Sequence, residues 1–428
     1  GCGVMTGAIS FVSFQCDASG CTAWFDVRCG GTGVRLNGRR LLAGVIVCRE
    51  YSGISAFAAA KAFCRVMCEN PRLPEKPVYG SNNWYYAYGK SSRAEVIRDA
   101  EITAELSAEN ENKPFTVIDD GWSVNPCAGP WEPNEKFGDM AKIAAEFKKI
   151  GVKPGIWIRP LHDVVLEKEH PAWCLSRIND GDQNSTPTRC LDPTVPEVRE
   201  YISATIRKMT AWGYELIKHD YTTYDLFGAF GCALNGKITI KDGWSFHDET
   251  KTSAEIVSEL YRLIREAAGE AIIIACNAVS HLSAGIFEVY RTGDDTSSRH
   301  WSRTRAYGVN TLAFRLCQND AFYKIDADCV GLLPGKISWS LNRQWLVLLA
   351  ESGSPLFISV HPEALNEEIK AALTQAFSRN AVQTDAAEPL DWLYNNQPQA
   401  WLVNGQKREY DFVEEYYPAL LSGSTQNY

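Results

Sequence analysis

Strand-length and helix-length runs alternate between residues 78 and 360 and predict an α/β fold, closed as a (β/α)8 TIM barrel. Eight apolar runs of strand length are separated mainly by runs with helical spacing, as repeated βα units of a parallel sheet require. Four of these runs end in clusters of polar residues, which suits the C-terminal rim of a barrel, where functional groups collect. An open doubly wound sheet is the alternative, but no GxGxxG follows the first run.

Residues 1–76 read as a short N-terminal β-rich segment, part of a β-sandwich. Apolar runs at 8–14 and 22–27 flank the turn Asp17-Ala18-Ser19-Gly20, a hairpin signal. Residues 54–67, rich in Ala and Phe, read as a helix, and Pro71, Pro74 and Pro77 mark a boundary. The barrel spans 77–365. Its strands are expected at 78–86, Phe115–Ile118, Lys153–Ile158, Leu216–His219, 271–275, 285–290, a weaker run at 311–316, and Leu356–Val360. Helices are expected at 91–109, 134–150, 196–212, 254–268 and 342–351. In the second of these Phe137, Met140, Ile143, Ala144 and Phe147 share one face; Asp192-Pro193-Thr194 opens the third. Residues 366–428 read as a helix and a small C-terminal β domain. Its hairpin would run from 399–403 to 410–413 through Asn404-Gly405.

The chain has 428 residues, enough for a large core and more than one domain. At 45% hydrophobic and 22% charged residues it is ordinarily globular, and a net charge of -9 with no basic stripe excludes a nucleic-acid partner. No run is long and apolar enough to suggest a membrane span. The chain opens Gly1-Cys2-Gly3 without an initiator Met, so the lack of a leader carries little weight; a cytoplasmic address is the expectation. The 14 Cys are scattered with no CxxC pair, the tightest spacings being Cys16–Cys21 and Cys64–Cys68, and buried free thiols are expected. No His or Cys set has metal-ligand spacing, so neither metal nor cofactor is expected. A homo-oligomer is compatible with all of this.

The polar run ends carry the chemistry. Lys218 and Asp220 stand two residues apart, on one side of a strand end. Asp119 and Asp120 end the second strand, Cys276 and Asn277 the fifth, and Arg291, Asp294 and Asp295 the sixth. Two carboxylates on separate strand ends, each beside a cation, are the minimum equipment for glycosidic bond cleavage. A strand-end Asp is also a common helix cap, so each alone carries little; the four ends together point to function. Asn319-Asp320 and Asp326-Ala327-Asp328, near the seventh strand, could supply a further site carboxylate, though a helix cap or solvated loop is the preferred reading.

The ordered set Val117-Ile118-Asp119-Asp120-Gly121-Trp122, Gly155-Ile156-Trp157, Leu191-Asp192-Pro193, Lys218-His219-Asp220 and Arg291-x-x-x-Asp295 resembles glycoside hydrolase family 36, the α-galactosidase or melibiase group, related to family 27. The resemblance covers about residues 78 to 360. It implies a retaining enzyme acting on an α-galactoside oligosaccharide or glycoconjugate. Asp220 would be the nucleophile and Asp295 the acid/base, favoured over Asp294 by its spacing from Arg291. Asp119 and Asp120 would bind the hydroxyls on C4 and C6, Lys218 ring hydroxyls, and Arg291 the sugar near C2. Trp157 and Trp84 would wall the sugar, and Asn277 and Cys276 would complete the pocket. Asp294 beside Asp295 is expected to raise the pKa of the acid. The sequence departs from the family at His219 and at Tyr221-Thr222-Thr223, which leaves N-acetylgalactosamine open, as well as transfer in the manner of a raffinose synthase. A Lys218 Schiff-base lyase and a non-catalytic sugar-binding relative are the remoter readings.

Overall fold

The computed structural model describes residues 1–177, 188–236, 243–382 and 387–413. Its centre is one parallel sheet of nine strand segments: β1 (Tyr79–Asn82), β2 (Phe115–Ile118), β3 (Lys153–Ile158), β4 (Leu216–His219), β5 (Ile272–Ala275), β6 (Val289–Arg291), β7 (Lys324–Asp326), β8 (Cys329–Leu332) and β9 (Leu356–Val360). β1 through β6 pair in chain order, β9 pairs with β1, β7 pairs only with β6, and β8 only with β9. The two segments β7 and β8 are therefore one broken seventh strand, joined by Ala327 and Asp328, and together they complete the barrel. Asp328 sits in the left-handed region at φ 74, which turns the chain at the break.

Period-two alternation fixes the two faces of the strands. Phe115, Val117, Leu216, Ile274, Val289, Cys329 and Phe357 pack together inside the barrel. Ile118, Ile156, Ile217, Ile273, Ile325 and Ile358 join the shell between strands and helices. Lys218 follows Leu216 by two residues and Arg291 follows Val289 by two, so both cations cap the interior layer at its C-terminal end.

The runs Phe115–Ile118, Lys153–Ile158 and Leu216–His219 form the expected strands. Elsewhere boundaries move or the assignment changes. The first strand ends at Asn82, not 86, because the Asn82 side chain accepts the Trp84 N–H at 2.8 Å and starts the short helix Trp84–Ala87. The expected strand at 285–290 is the shorter Val289–Arg291. The run at 311–316 is not a strand: Asn310–Arg315 is helical, burying Leu312, Ala313 and Leu316 on one face. An antiparallel pair, Ser123–Asn125 with Ala128–Pro133, follows the second strand, and the helix expected at 134–150 begins only at Met140, capped by Asp139.

The N-terminal segment forms the hairpin Phe11–Asp17 with Gly20–Asp26 and the helix Ala56–Met67. It seats on the helix Ser253–Ala267: the Ser253 N–H donates to Arg28 O at 2.8 Å, and Ser253 Oγ accepts from the Gly30 N–H at 2.8 Å. Cys16 and Cys21 are joined as a disulfide across this hairpin, and Cys2, Cys48 and Cys232 are exposed. The expectation of buried free thiols thus fails for these five, because cross-strand register and surface position decide a thiol's state, not chain length. After the helix Glu367–Asn380, Ala400–Val403 pairs with Gln406–Glu409, not with 410–413, since the turn at Asn404-Gly405 spans two residues; Glu388–Pro389 adds a third strand. Residues 414–428 of the expected C-terminal domain lie outside the described residues. Among the described residues no helix is long and apolar enough to cross a membrane.

Candidate active site

The C-terminal ends of β2, β4, β5, β6 and the broken seventh strand converge on one charged cluster. At the end of β2, Asp119 Oδ2 accepts from Lys218 Nζ at 2.7 Å and from Asn82 Nδ2 at 2.6 Å. Asp120 Oδ1 accepts the N–H groups of Gly121 at 2.7 Å and Cys127 at 2.9 Å. Burial, reinforced by Asp119 and Asp220, pushes the Asp120 carboxyl up to about 6. Gly121 makes the turn possible. It sits at φ 108, and a Cβ there would stand 2.4 Å from Gly89 O.

Asp220 has both oxygens engaged. Oδ1 accepts from Asn277 Nδ2 and from the Tyr221 N–H, each at 2.6 Å, and Oδ2 accepts from Trp157 Nε1 at 3.1 Å. Burial alone would raise its pKa. Lys218 and Arg291 outweigh that, helped by the Asn277 and Trp157 bonds, and the carboxylate is held below its ordinary range. For Lys218, burial works against the charge, but Asp119, Cys276 and Asp220 overcome it and raise the ammonium well above its ordinary value.

Asp295 is held differently. Its side chain is 32% exposed, and Oδ1 accepts from Arg291 Nη2 at 2.9 Å. Desolvation raises its pKa; Arg291 opposes this, while Asp328 and Asp220 add like charge. The like-charge neighbour is thus not the expected Asp294. That side chain accepts the Asp295 N–H at 2.7 Å and pairs with Arg303 at 3.3 Å.

Asp328 was expected at a cap or in solvent, yet it is buried beneath Arg291. It lies 3.1 Å from Arg291 Nη1 and accepts from Thr296 N at 2.9 Å and from the Tyr85 hydroxyl. Asp326 is buried too, and burial pushes it up to about 6. A carboxylate two residues from a strand end, on the parity of Lys324, was the signal available for both.

Trp157 was expected as a wall for the sugar. It is 1% exposed, with its indole N–H committed to Asp220, so it serves as a donor to the carboxylate. Trp84 is half-buried beside Tyr88, with ring centroids 5.7 Å apart, and packs against the barrel-interior cluster. Asn277, at φ 46, donates its side-chain NH2 to Asp220, while its backbone carbonyl accepts from Thr222 and Thr223. Cys276 is buried among Lys218, Arg291 and Asp220, and burial lifts its thiol well above the usual range. Sequence reasoning missed Arg159, which follows β3 and forms a buried pair with Asp225. Among the described residues no three His, Cys, Asp or Glu side chains form a metal-binding group.

The arrangement offers one carboxylate biased toward ionisation and another biased toward protonation at one barrel rim. That is the acid/base division a displacement at a buried carbon needs.

No protein-family model matches the chain. Over 147 residues it is 26% identical to the α-galactosidase AgaA of Geobacillus stearothermophilus, a match covering 32% of this chain and 19% of that protein. Over 195 residues it is 28% identical to the bifunctional α-galactosidase/sucrose kinase AgaSK of Mediterraneibacter gnavus, covering 42% of this chain and 20% of that one. The matched stretches thus span about a fifth of each curated relative. In three dimensions, the α-galactosidase TtGalA of Thermus thermophilus, solved with p-nitrophenyl α-D-galactopyranoside, superposes with a TM-score of 0.66 at 20% identity, covering 96% of this chain and 78% of that one.

Proposed function

From a chain related to the α-galactosidases of glycoside hydrolase families 36 and 27, we propose a retaining glycosidase that removes terminal α-D-galactosyl residues. The observation that carries this reading is the opposed bias of Asp220 and Asp295 at one barrel rim. Asp220 attacks C1 while Asp295 gives its proton to the leaving oxygen, and the C1–O bond breaks. A water then attacks C1, Asp295 takes its proton, and Asp220 is released. Lys218 and Arg291 supply positive charge beside Asp220 throughout. Asp119 and Asp120 face the sugar's hydroxyls as acceptors.

A panel of nitrophenyl glycosides tests this. The α-galactoside should be cleaved faster than the α-N-acetylgalactosaminide and the β-L-arabinopyranoside. Asp220→Ala should lose at least about 10³-fold in kcat, and azide should restore turnover as the β-galactosyl azide. An α-azide product would instead make Asp220 the acid/base.

A further inference from the structure

We propose that Arg159 is a positioning residue that aims the Asp220 carboxylate by way of Tyr221. The inference rests on the reading of Asp220 as the nucleophile.

Tyr221 is the joint. It lies at φ 66 and ψ 0, a left-handed conformation that a non-glycine residue seldom adopts. Its N–H donates to Asp220 Oδ1, 2.6 Å away. Its ring meets Trp157 edge to face, with centroids 6.3 Å apart, and the Trp157 indole N–H donates to Asp220 Oδ2 at 3.1 Å. The ring is itself held. The Arg159 guanidinium lies over the Tyr221 ring, 4.3 Å from its centroid. Arg159 is in turn fixed by a two-point bond to Asp225, with Nε 3.0 Å from Oδ2 and Nη2 2.5 Å from Oδ1. Asp225 is buried on the helix Thr222–Phe227, which starts immediately after Tyr221, and its N–H donates to Tyr221 O at 2.8 Å. The planar fork fixes the guanidinium, the guanidinium fixes the ring, and the ring backs the Trp157 indole that donates to Asp220.

Holding the helix against β3 alone does not require charge. A packed apolar pair would do so without desolvating two ions. The ion pair adds direction, because a bidentate guanidinium has a set plane and an apolar side chain does not. Arg159 Nη1 also lies 3.5 Å from Cys127 O, and the Cys127 N–H serves Asp120, so a small rise in KM should accompany its loss.

The test compares Arg159→Ala, Arg159→Lys and Asp225→Asn with the wild type, on the glycoside that the wild type cleaves best. Each variant is read for kcat, KM, the acid limb of kcat/KM and thermal midpoint. Arg159→Ala should lose about 10- to 100-fold in kcat, with a smaller change in KM. Its acid limb should move up by about one pH unit, since Asp220 loses a donor that favoured its charged form. Added guanidinium ion should restore part of the rate and return the limb. Arg159→Lys keeps the charge without the fork and should shift in the same direction by less; it carries the test if the alanine variant does not fold. Adding Arg159→Ala to Tyr221→Gly should do nothing further to the acid limb, because glycine leaves no ring for the guanidinium to hold. The inference is overturned if the limb stays in place while rate and thermal midpoint fall together, or if both arginine variants behave as wild type. A wild type inert toward every glycoside of the panel defeats the functional reading instead.

Discussion

His219 faces outward from β4, fully buried between Tyr261 and Phe287, and neither ring nitrogen has a hydrogen-bond partner among the described residues. Burial depresses its pKa to about 4. In the unfolded chain it titrates near 6.5. The unfolded state therefore takes up a proton first, and stability is lost as pH falls from about 6.5 toward 4, by up to about 3 kcal/mol. His219→Leu should match or exceed wild-type stability at pH 7 by about 1 kcal/mol, with a gap that widens toward pH 5. Urea unfolding at the two pH values measures this, and a constant gap would count against it. The paired carboxylates give a second expectation at this scale. A bell-shaped pH–rate profile should have an acid limb below the usual carboxylate range, from Asp220, and an upper limb above it, from Asp295.

At the scale of elements, the apolar runs of β2, β3 and β4 were legible in the sequence because each is bounded by turn residues and buried on both faces. The seventh strand was not. Its inward positions carry Lys324, Asp326 and Asp328, so it reads as a polar loop, while the nearby apolar run at 310–315 is a helix. The same masking hid part of the site. Asp220, Asp295, Lys218 and Arg291 stood out through motif and order; Asp328, Arg159 and Tyr221 act through contacts that appear only once the barrel brings distant strands together. Asp328→Asn tests the contribution of the broken strand. It removes like charge near Asp295 and frees Arg291 to favour the ionised acid, so the upper limb should move down by about one unit. A pH–rate profile of the purified variant checks it, and an unmoved upper limb would remove Asp328 from the site.

Across the whole molecule, the paired acids of the rim each have a cation or N–H donors for a partner. Asp119 is matched to Lys218, Asp295 and Asp328 to Arg291, and Asp220 to three N–H donors. With those cations in place the rim carboxylates have partners already, and kcat should survive exhaustive dialysis against a chelator. Activity lost there and regained with a divalent ion would assign one of these carboxylates to a metal. The barrel that carries this rim is not joined the same way all round. Between its other neighbours the strands share backbone hydrogen bonds, but β7 and β8 each serve one side only. At that point the circle is completed by covalent bonds through Ala327 and Asp328. A hoop with a spliced stave can change girth at the splice without breaking any rung of its ladder. Slow breathing of the barrel would then be concentrated at the residue that holds Arg291 from below, making the circumference of the scaffold and the acidity of Asp295 two readings of a single coordinate.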